Sequence, residues 1–158
     1  MVAVSFGSAL AAQSGLTIPN RLLIAQKGEW VLYMTQENHG QKQTVTNIEN
    51  DVDGDKVITV MNELLIDDNV VQQKEDSFHL SSVVREQENM LSADGPDLEL
   101  SQGLEQLMGK DIEVVVIQYA GPDGAVVRSF LSDQVPVTGL LKIEIDGDIF
   151  MEVSDFGY

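Results

Sequence analysis

The sequence predicts a mainly β protein, in which an antiparallel meander forms a bent sheet or an incomplete barrel with one or two short helices in the middle. Apolar and polar residues alternate along many short segments, and turn signals separate these segments. Helical spacing occurs only in the middle of the chain. Because strands joined by short connections pair antiparallel, this pattern indicates a meander and not a parallel α/β fold.

The first half of the predicted domain contains four strands. Trp30, Leu32 and Met34 share one face of the first strand, since side chains alternate along a strand. β-branched residues favour the next two strands, and the triplet Asp67-Asp68-Asn69 turns the chain into the fourth. The four predicted strands are residues 29–37, 43–50, 56–66 and 70–80.

The middle of the chain changes to helical spacing. Val83, Val84, Met90 and Leu91 recur at intervals that predict one short helix. Ser81 or Ser82 would be its N-cap, and Gly95-Pro96 would stop it. Residues 100–110 are predicted to form either a second helical turn or a loop that ends at Gly109.

The last third again predicts four strands. Pro122-Asp123-Gly124 fits a tight turn, because proline presets φ and glycine accepts a positive φ. This turn pairs Tyr119 with Val127 and Val116 with Phe130. The four predicted strands are residues 111–119, 125–133, 139–146 and 149–156.

The tripeptide Asp-Gly-Asp occurs twice, at residues 53–55 and 146–148. At the second site, burial of one face predicts a three-residue loop that pairs Ile145 with Ile149 and Ile143 with Met151. At the first site, Asp51, Asp53 and Asp55 match the start of a calcium loop. Lys56 stands where such a loop needs glycine, and Asn62 where it needs glutamate. We interpret both as hairpin turns and predict no metal site, with a weak site at the three aspartates as the alternative.

Length and charge restrict the function. The chain has 158 residues, which suits one domain, and 43% of them are hydrophobic. It carries 9 Lys and Arg against 26 Asp and Glu, a net charge of -17, which argues against nucleic acid and anionic membranes as partners. The absence of cysteine excludes thiol chemistry, and no stretch approaches the roughly 18 apolar residues of a membrane span.

The N-terminus suggests an extracytoplasmic location. Residues 1–26 are predicted to be a tail, and residues 27–158 a single β domain. Ala9-Leu10-Ala11 has the small-x-small form of a signal-peptidase site, so we interpret the tail as the remnant of a secretion signal. The alternative is a flexible apolar tail or a short helix. The signal interpretation places the protein in the periplasm or outside the cell.

No pattern of an enzyme is present in the sequence. His39 and His79 are the only histidines, and no nucleophile-elbow pattern surrounds any serine. The chain has no glycine-rich phosphate loop, and its acidic residues alternate with apolar ones as on a solvated sheet face. We therefore predict a non-enzymatic protein without catalytic residues or cofactors.

Aromatic and methionine side chains suggest a binding function. If the sheet curls, its concave face would bind an apolar or amphipathic ligand, and the protein would be a carrier. The alternative is an acidic interaction module that docks a basic partner and has no small-molecule ligand. A ligand-sized cavity in a closed sheet would favour the carrier, whereas a filled core with an exposed apolar patch would favour docking. The predicted ligand-binding residues are Trp30, Met34, Met61, Phe130 and Met151, with Leu32, Val116, Leu141 and Ile143 on the same face.

Two sequence blocks carry a resemblance to known proteins. Gly28-x-Trp30 resembles the Gly-x-Trp that opens lipocalin barrels. Gly28, Trp30 and Tyr33, together with the closing block at residues 135–157, resemble a family of uncharacterised bacterial secreted or periplasmic β-proteins. The resemblance implies a lipocalin-like or lipoprotein-carrier-like curved sheet and an extracytoplasmic location. It supplies no catalytic residues.

Overall fold

A computed structural model describes residues 17–92 and 97–158 and contains one open sheet of nine antiparallel strands. The predicted mainly β fold is therefore confirmed. Strand order in the sheet is β4-β3-β2-β1-β9-β8-β7-β6-β5, so two meanders meet where the first strand pairs with the last. The strands are β1 Trp30–Thr35, β2 Gly40–Asn50, β3 Lys56–Ile66, β4 Asn69–His79, β5 Glu99–Leu107, β6 Lys110–Ala120, β7 Val126–Leu131, β8 Leu140–Ile145 and β9 Asp148–Gly157.

The predicted register between β6 and β7 is confirmed, with Tyr119 opposite Val127 and Val116 opposite Phe130. The predicted three-residue loop between β8 and β9 is wrong. Asp146 and Gly147 form a two-residue turn with φ of 52° and 87°, and Ile145 pairs with Asp148. Positive φ at both positions matches the right-handed twist of the flanking strands.

A β-bulge then corrects the faces of this hairpin. The register shifts between Ile143 and Glu144, and beyond the shift Ile143 pairs with Met151 as predicted. A bulge adds one residue to one strand and so exchanges the faces of the residues that follow. The bulge lies between the turn and the buried part of the hairpin. The chain can therefore form a two-residue turn and still place Ile143 and Met151 on the same face.

The predicted central helix is confirmed as α1, Leu80–Met90, but neither predicted serine caps it with its side chain. The backbone N–H of Ser81 instead donates to Asp55 Oδ1 at 3.2 Å, so the cap comes from the β2–β3 turn. The predicted stop at Gly95-Pro96 lies outside the described residues. No helix in the described part of the chain is long and apolar enough to cross a membrane.

Residues 100–110 form neither the helical turn nor the loop that the sequence predicted. They belong to β5, to a two-residue turn at Met108 and Gly109, whose φ values are 51° and 80°, and to the first residue of β6. Leu100, Leu104 and Leu107 have helical spacing, but nine pairs with β6 fix the segment as a strand. Pairing with a long neighbouring strand overrides this local periodicity.

Directly paired residues on neighbouring strands point to the same side of the sheet, so the register assigns each residue to one of two faces. The helix face carries Val31, Tyr33 and Val60 and is crossed by α1. The first turns of α1 pack against the main core, whereas Met90 and Leu91 pack against Val115 and Ile117. The opposite face, here called the tryptophan face, carries Trp30, Leu32, Met34, Met61, Val116 and Phe130.

Residues ahead of Lys27, which the sequence analysis assigned to a tail, contribute to the core. A short 3-10 helix spans Arg21–Ile24, and Ile18, Leu22 and Ala25 are buried. The signal-like residues Ala9-Leu10-Ala11 lie outside the described residues.

Glu29 is a fully buried carboxylate at 0% exposure that joins three segments of the chain. Its Oε2 accepts hydrogen bonds from Arg21 Nη2 at 3.0 Å and from the backbone N–H of Val137 at 3.4 Å, while Oε1 accepts one from the N–H of Gln26. Val137 is itself buried, with a φ of 71° that is strained for a β-branched residue. Glu29 thus holds the 3-10 helix and a strained loop against β1.

The β5–β6 hairpin curls over the tryptophan face. Lys142 Nζ on β8 lies 2.6 Å from Glu105 Oε1 on β5, although two strands separate β5 from β8 in the sheet. In a flat sheet three inter-strand spacings would put the two strands about 14 Å apart, which is too far for these side chains to meet. The curl brings them together.

Candidate functional site

The structure places the five predicted ligand-binding residues in different environments. Trp30, Met34 and Met61 lie half-buried on the tryptophan face. Phe130 shares that face but is only 3% exposed. Met151 is buried on the helix face, opposite Ile143. The structure therefore groups three of the five residues on one exposed surface, and the other two belong to the core.

A groove of about 360 Å³ lies between the tip of the β5–β6 hairpin and strands β8 and β9. We call it the hairpin groove. Leu107 and Leu141 are buried, whereas Leu104 and Met108 are 64% and 53% exposed. The sequence did not indicate this groove, because residues 100–110 were predicted to be a helical turn or a loop, and of the two turn residues only Gly109 favours the positive φ of a tight turn. The lining residues are Leu104, Glu105, Gln106, Leu107, Met108, Asp111, Leu141, Lys142, Glu152 and Val153.

Lys142 is the only cation among the lining residues, and two carboxylates already neutralise it. Its Nζ lies 2.6 Å from Glu105 and 3.2 Å from Glu144, and 4.5 Å from the centre of the Phe130 ring. Burial alone would lower the pKa of Lys142, but the hydrogen bonds to Glu105 and Glu144 outweigh it and raise the pKa. Lys142 therefore stays protonated at neutral pH and locks the hairpin to β8.

The rim of the hairpin groove is acidic. Asp111 accepts a hydrogen bond from Gln106 across the hairpin. Glu152 is exposed, and within residues 17–92 and 97–158 no side chain forms a hydrogen bond or ion pair with its carboxylate. With Lys142 neutralised by its own partners, the rim presents negative charge to an incoming molecule.

An apolar band adjoins this acidic rim on the tryptophan face. Glu152 pairs with Met34 across β9 and β1, and Asp155 pairs with Leu32 in the same way. Trp30 follows on β1, with Lys42 Nζ 4.8 Å from its ring. We call Trp30, Leu32 and Met34 the apolar band. Acidic and apolar groups therefore lie next to each other from the groove to β1.

A second groove of about 280 Å³ crosses β2, β3 and β4. Its polar groups are largely engaged with one another: Gln43 Nε2 donates to Asn62 Oδ1 at 3.1 Å, and Asn62 Nδ2 donates to Asp76 Oδ2 at 2.9 Å. None of the five predicted ligand-binding residues lines either groove. This internal ladder makes the second groove a weaker candidate for a binding site than the hairpin groove.

Asp51, Asp55 and His79 meet where the β2–β3 turn approaches the start of α1. His79 Nδ1 lies 3.3 Å from Asp51 Oδ2 and 3.6 Å from Asp55 Oδ2, whereas Asp53 is not part of the cluster. Asp51 Oδ1 accepts from the N–H groups of Asp53 and Asp55 at 2.8 and 3.0 Å, which closes the turn. The turn and the helix cap thus account for both aspartates.

We expect no calcium binding tighter than about millimolar, the range of weak extracellular sites. Calcium takes six to eight oxygen ligands, and the two aspartates already accept hydrogen bonds from the protein. Isothermal titration at physiological salt checks this. Micromolar binding that disappears in Asp51→Ala and persists in the matched control Asp53→Ala would contradict the expectation.

Asp55 is expected to hold the first turn of α1. The hydrogen bond from the Ser81 hydroxyl, at 2.6 Å, is the main cause that lowers the pKa of Asp55. A lowered folded-state pKa means that this contribution to stability is present above the unfolded value of about 3.9 and is lost as pH falls through the folded value. At pH 7, Asp55→Ala should speed amide hydrogen exchange in the first turn of α1, and Asp53→Ala should not. Equal exchange rates in the two variants would contradict the capping role.

No model of a known protein family matches the chain, and no curated protein matches it either. The resemblance to lipocalin-like secreted proteins therefore stays a prediction. What the described residues define is a class of structure, an open antiparallel β-sheet with a filled core and an acidic groove at its curled end.

Proposed function

We propose that the protein is a non-enzymatic binding module that docks a basic partner protein. The observation that supports this proposal best is the hairpin groove, in which the exposed apolar side chain of Met108 lies beside an acidic rim. Protein interfaces combine apolar anchor pockets with a polar, solvent-accessible rim. The proposal is the alternative from the sequence analysis, favoured because the sheet is open and its core is filled with side chains.

The net charge supports a basic partner. With a net charge of -17 the protein attracts cations over a distance set by the ionic strength, and a complementary patch raises the association rate. Charge alone gives little affinity at physiological salt, where the screening length is about 8 Å. Exposed apolar surface such as that of Met108 would supply the remaining affinity.

Peptide binding tests this proposal. A fluorescent peptide of alternating lysine and leucine is titrated with the full chain, beside lysine–serine and glutamate–leucine peptides of equal length. We expect the lysine–leucine peptide to bind at least about tenfold tighter than both controls at physiological salt, a difference of about 1.4 kcal/mol. Equal affinity for the lysine–leucine and lysine–serine peptides would show that only net charge causes the binding, and would contradict docking.

A carrier for an apolar or amphipathic ligand is the second candidate, in the periplasm or outside the cell. The specific observation in its favour is that Trp30, Met34 and Met61 share the tryptophan face. A fluorescent fatty-acid analogue should then quench Trp30, be displaced by unlabelled lipid, and bind weakly to Met61→Glu. Met61 suits this test because its side chain is half-exposed. Phe130 does not, because replacing this buried side chain by glutamate would unfold the protein. Failure of the folded, delipidated protein to bind the analogue would contradict the carrier function and leave the docking function as the proposal.

A further inference from the structure

We propose that the hairpin groove and the apolar band form one docking surface for an extended peptide segment with an apolar-x-basic-x-apolar pattern. The first apolar side chain fills the groove, the basic side chain pairs with Glu152, and the second apolar side chain reaches Met34. This inference rests on the proposed docking function. It adds the location of the binding surface, the kind of partner segment and the spacing of the contacting residues in that segment.

The groove provides a place for an apolar anchor. Leu107 and Leu141 are buried beside the groove, and Met108 at the tip of the hairpin is more than half exposed. A large side chain placed against Met108 would remove apolar surface of both molecules from water. Burial of this kind stabilises by about 25 cal/mol per Å², so such anchors dominate the affinity of many interfaces.

Glu152 defines where the positive charge is needed. Its carboxylate is exposed at the rim and has no charged partner among the described residues. Lys142 does not oppose an incoming cation strongly, since Glu105 and Glu144 lie 2.6 and 3.2 Å from its ammonium. A lysine or arginine of the partner would gain an ion pair at the boundary between groove and apolar band.

The spacing follows from the sheet. Glu152 pairs with Lys142 on one side and with Met34 on the other, so groove, carboxylate and apolar band follow one another across neighbouring strands. From β8, which lines the groove, to β1 is two strand spacings, or about 10 Å. Every second side chain of an extended chain points to the same side, and such side chains stand about 7 Å apart. The difference of about 2 Å per contact is within the reach of flexible leucine and lysine side chains. The three contacting residues therefore stand at positions i, i+2 and i+4.

Binding of a designed peptide to the full chain tests the surface. The probe has serine at every position except leucine, lysine and leucine at i, i+2 and i+4, and its control has the same composition with lysine moved to one end. We expect the patterned peptide to bind about tenfold tighter than the control, and Met108→Ser and Glu152→Gln each to weaken it by about fivefold or more. Glu152→Gln should also reduce the dependence of the affinity on salt.

Matched variants on β4 distinguish binding at the proposed surface from attraction by the overall negative charge. Val70→Ser likewise replaces an exposed apolar side chain by serine, and Glu75→Gln repeats the change made at Glu152. Both positions are exposed on β4, and each variant should alter the affinity by less than about twofold. Met108 and Glu152 are exposed, so circular dichroism should show all four variants folded. Unchanged affinity in Met108→Ser and Glu152→Gln would overturn this surface and leave the docking function intact.

Two further outcomes would overturn the proposal in different ways. If neither this peptide nor the lysine–leucine peptide binds the folded chain, the docking function fails together with the surface. If phosphatidylcholine vesicles bind the chain and Met108→Ser abolishes this binding, while the peptide does not bind, the surface belongs to a lipid and the peptide assignment is wrong.

Discussion

Glu29→Ala is expected to lower the free energy of unfolding by about 3–5 kcal/mol, the usual cost of removing one partner of a buried ion pair. The substitution leaves the guanidinium of Arg21, whose side chain is 13% exposed, without its carboxylate. It also removes the acceptor for the N–H groups of Gln26 and Val137. Because domains are stable by only about 5–15 kcal/mol, the loss would be a large part of the total.

Urea unfolding followed by Trp30 fluorescence measures this loss. Glu49→Ala is the matched control, since Glu49 is exposed on β2, and it should change the unfolding free energy by less than about 0.5 kcal/mol. Arg21→Met combined with Glu29→Leu should be less harmful than Glu29→Ala alone, because it leaves no unpaired buried charge. A loss below about 1 kcal/mol in Glu29→Ala would contradict the role of Glu29 as the joint of three segments.

Lys142→Met is expected to cost about 2 kcal/mol, the range for hydrogen bonds to charged groups, and to loosen the β5–β6 hairpin. Without the ammonium, Glu105 and Glu144 lose a shared partner and the curl of the hairpin loses its link to β8. The raised pKa of Lys142 gives the sign of the pH dependence. Its contribution to stability is complete at neutral pH and is lost only as pH rises beyond the unfolded value of about 10.4.

Hydrogen exchange localises this effect. Amides of β5 and of the first half of β6 should exchange faster in Lys142→Met, while those of β2 and β3 should keep their protection. Lys110→Met is the control, because Lys110 is exposed and forms no ion pair among the described residues. Unchanged protection of β5 in Lys142→Met would show that the link to Glu105 does not hold the curl.

Local patterns predicted the elements whose causes are local. Alternation of apolar and polar residues identified eight strands, and Pro122-Asp123-Gly124 fixed the register that pairs Tyr119 with Val127. The Asp146-Gly147 turn needed more than local reasoning. The burial pattern predicted a three-residue loop, whereas the turn has two residues, because a bulge beyond Ile143 restores the burial pattern.

The candidate site was predicted only in part. Trp30, Met34 and Met61 were correctly placed on one face because side-chain alternation determines which residues point together. Phe130 shares their face, but the curl of the hairpin buries it. The face of Met151 depends on the registers of β9 with β1 and with β8, both of which contain a shift, and it proved to be the opposite one.

The sequence by itself determined the mainly β class, most strand positions, the central helix and the acidic charge, because each follows from composition or from residues a few positions apart. Only the tertiary structure decided which groups meet over long separations. It brought Lys142 to Glu105, Glu29 to Val137 and Asp55 to the start of α1. These contacts depend on sheet curvature and on strand order, which arise from the packing of the whole chain.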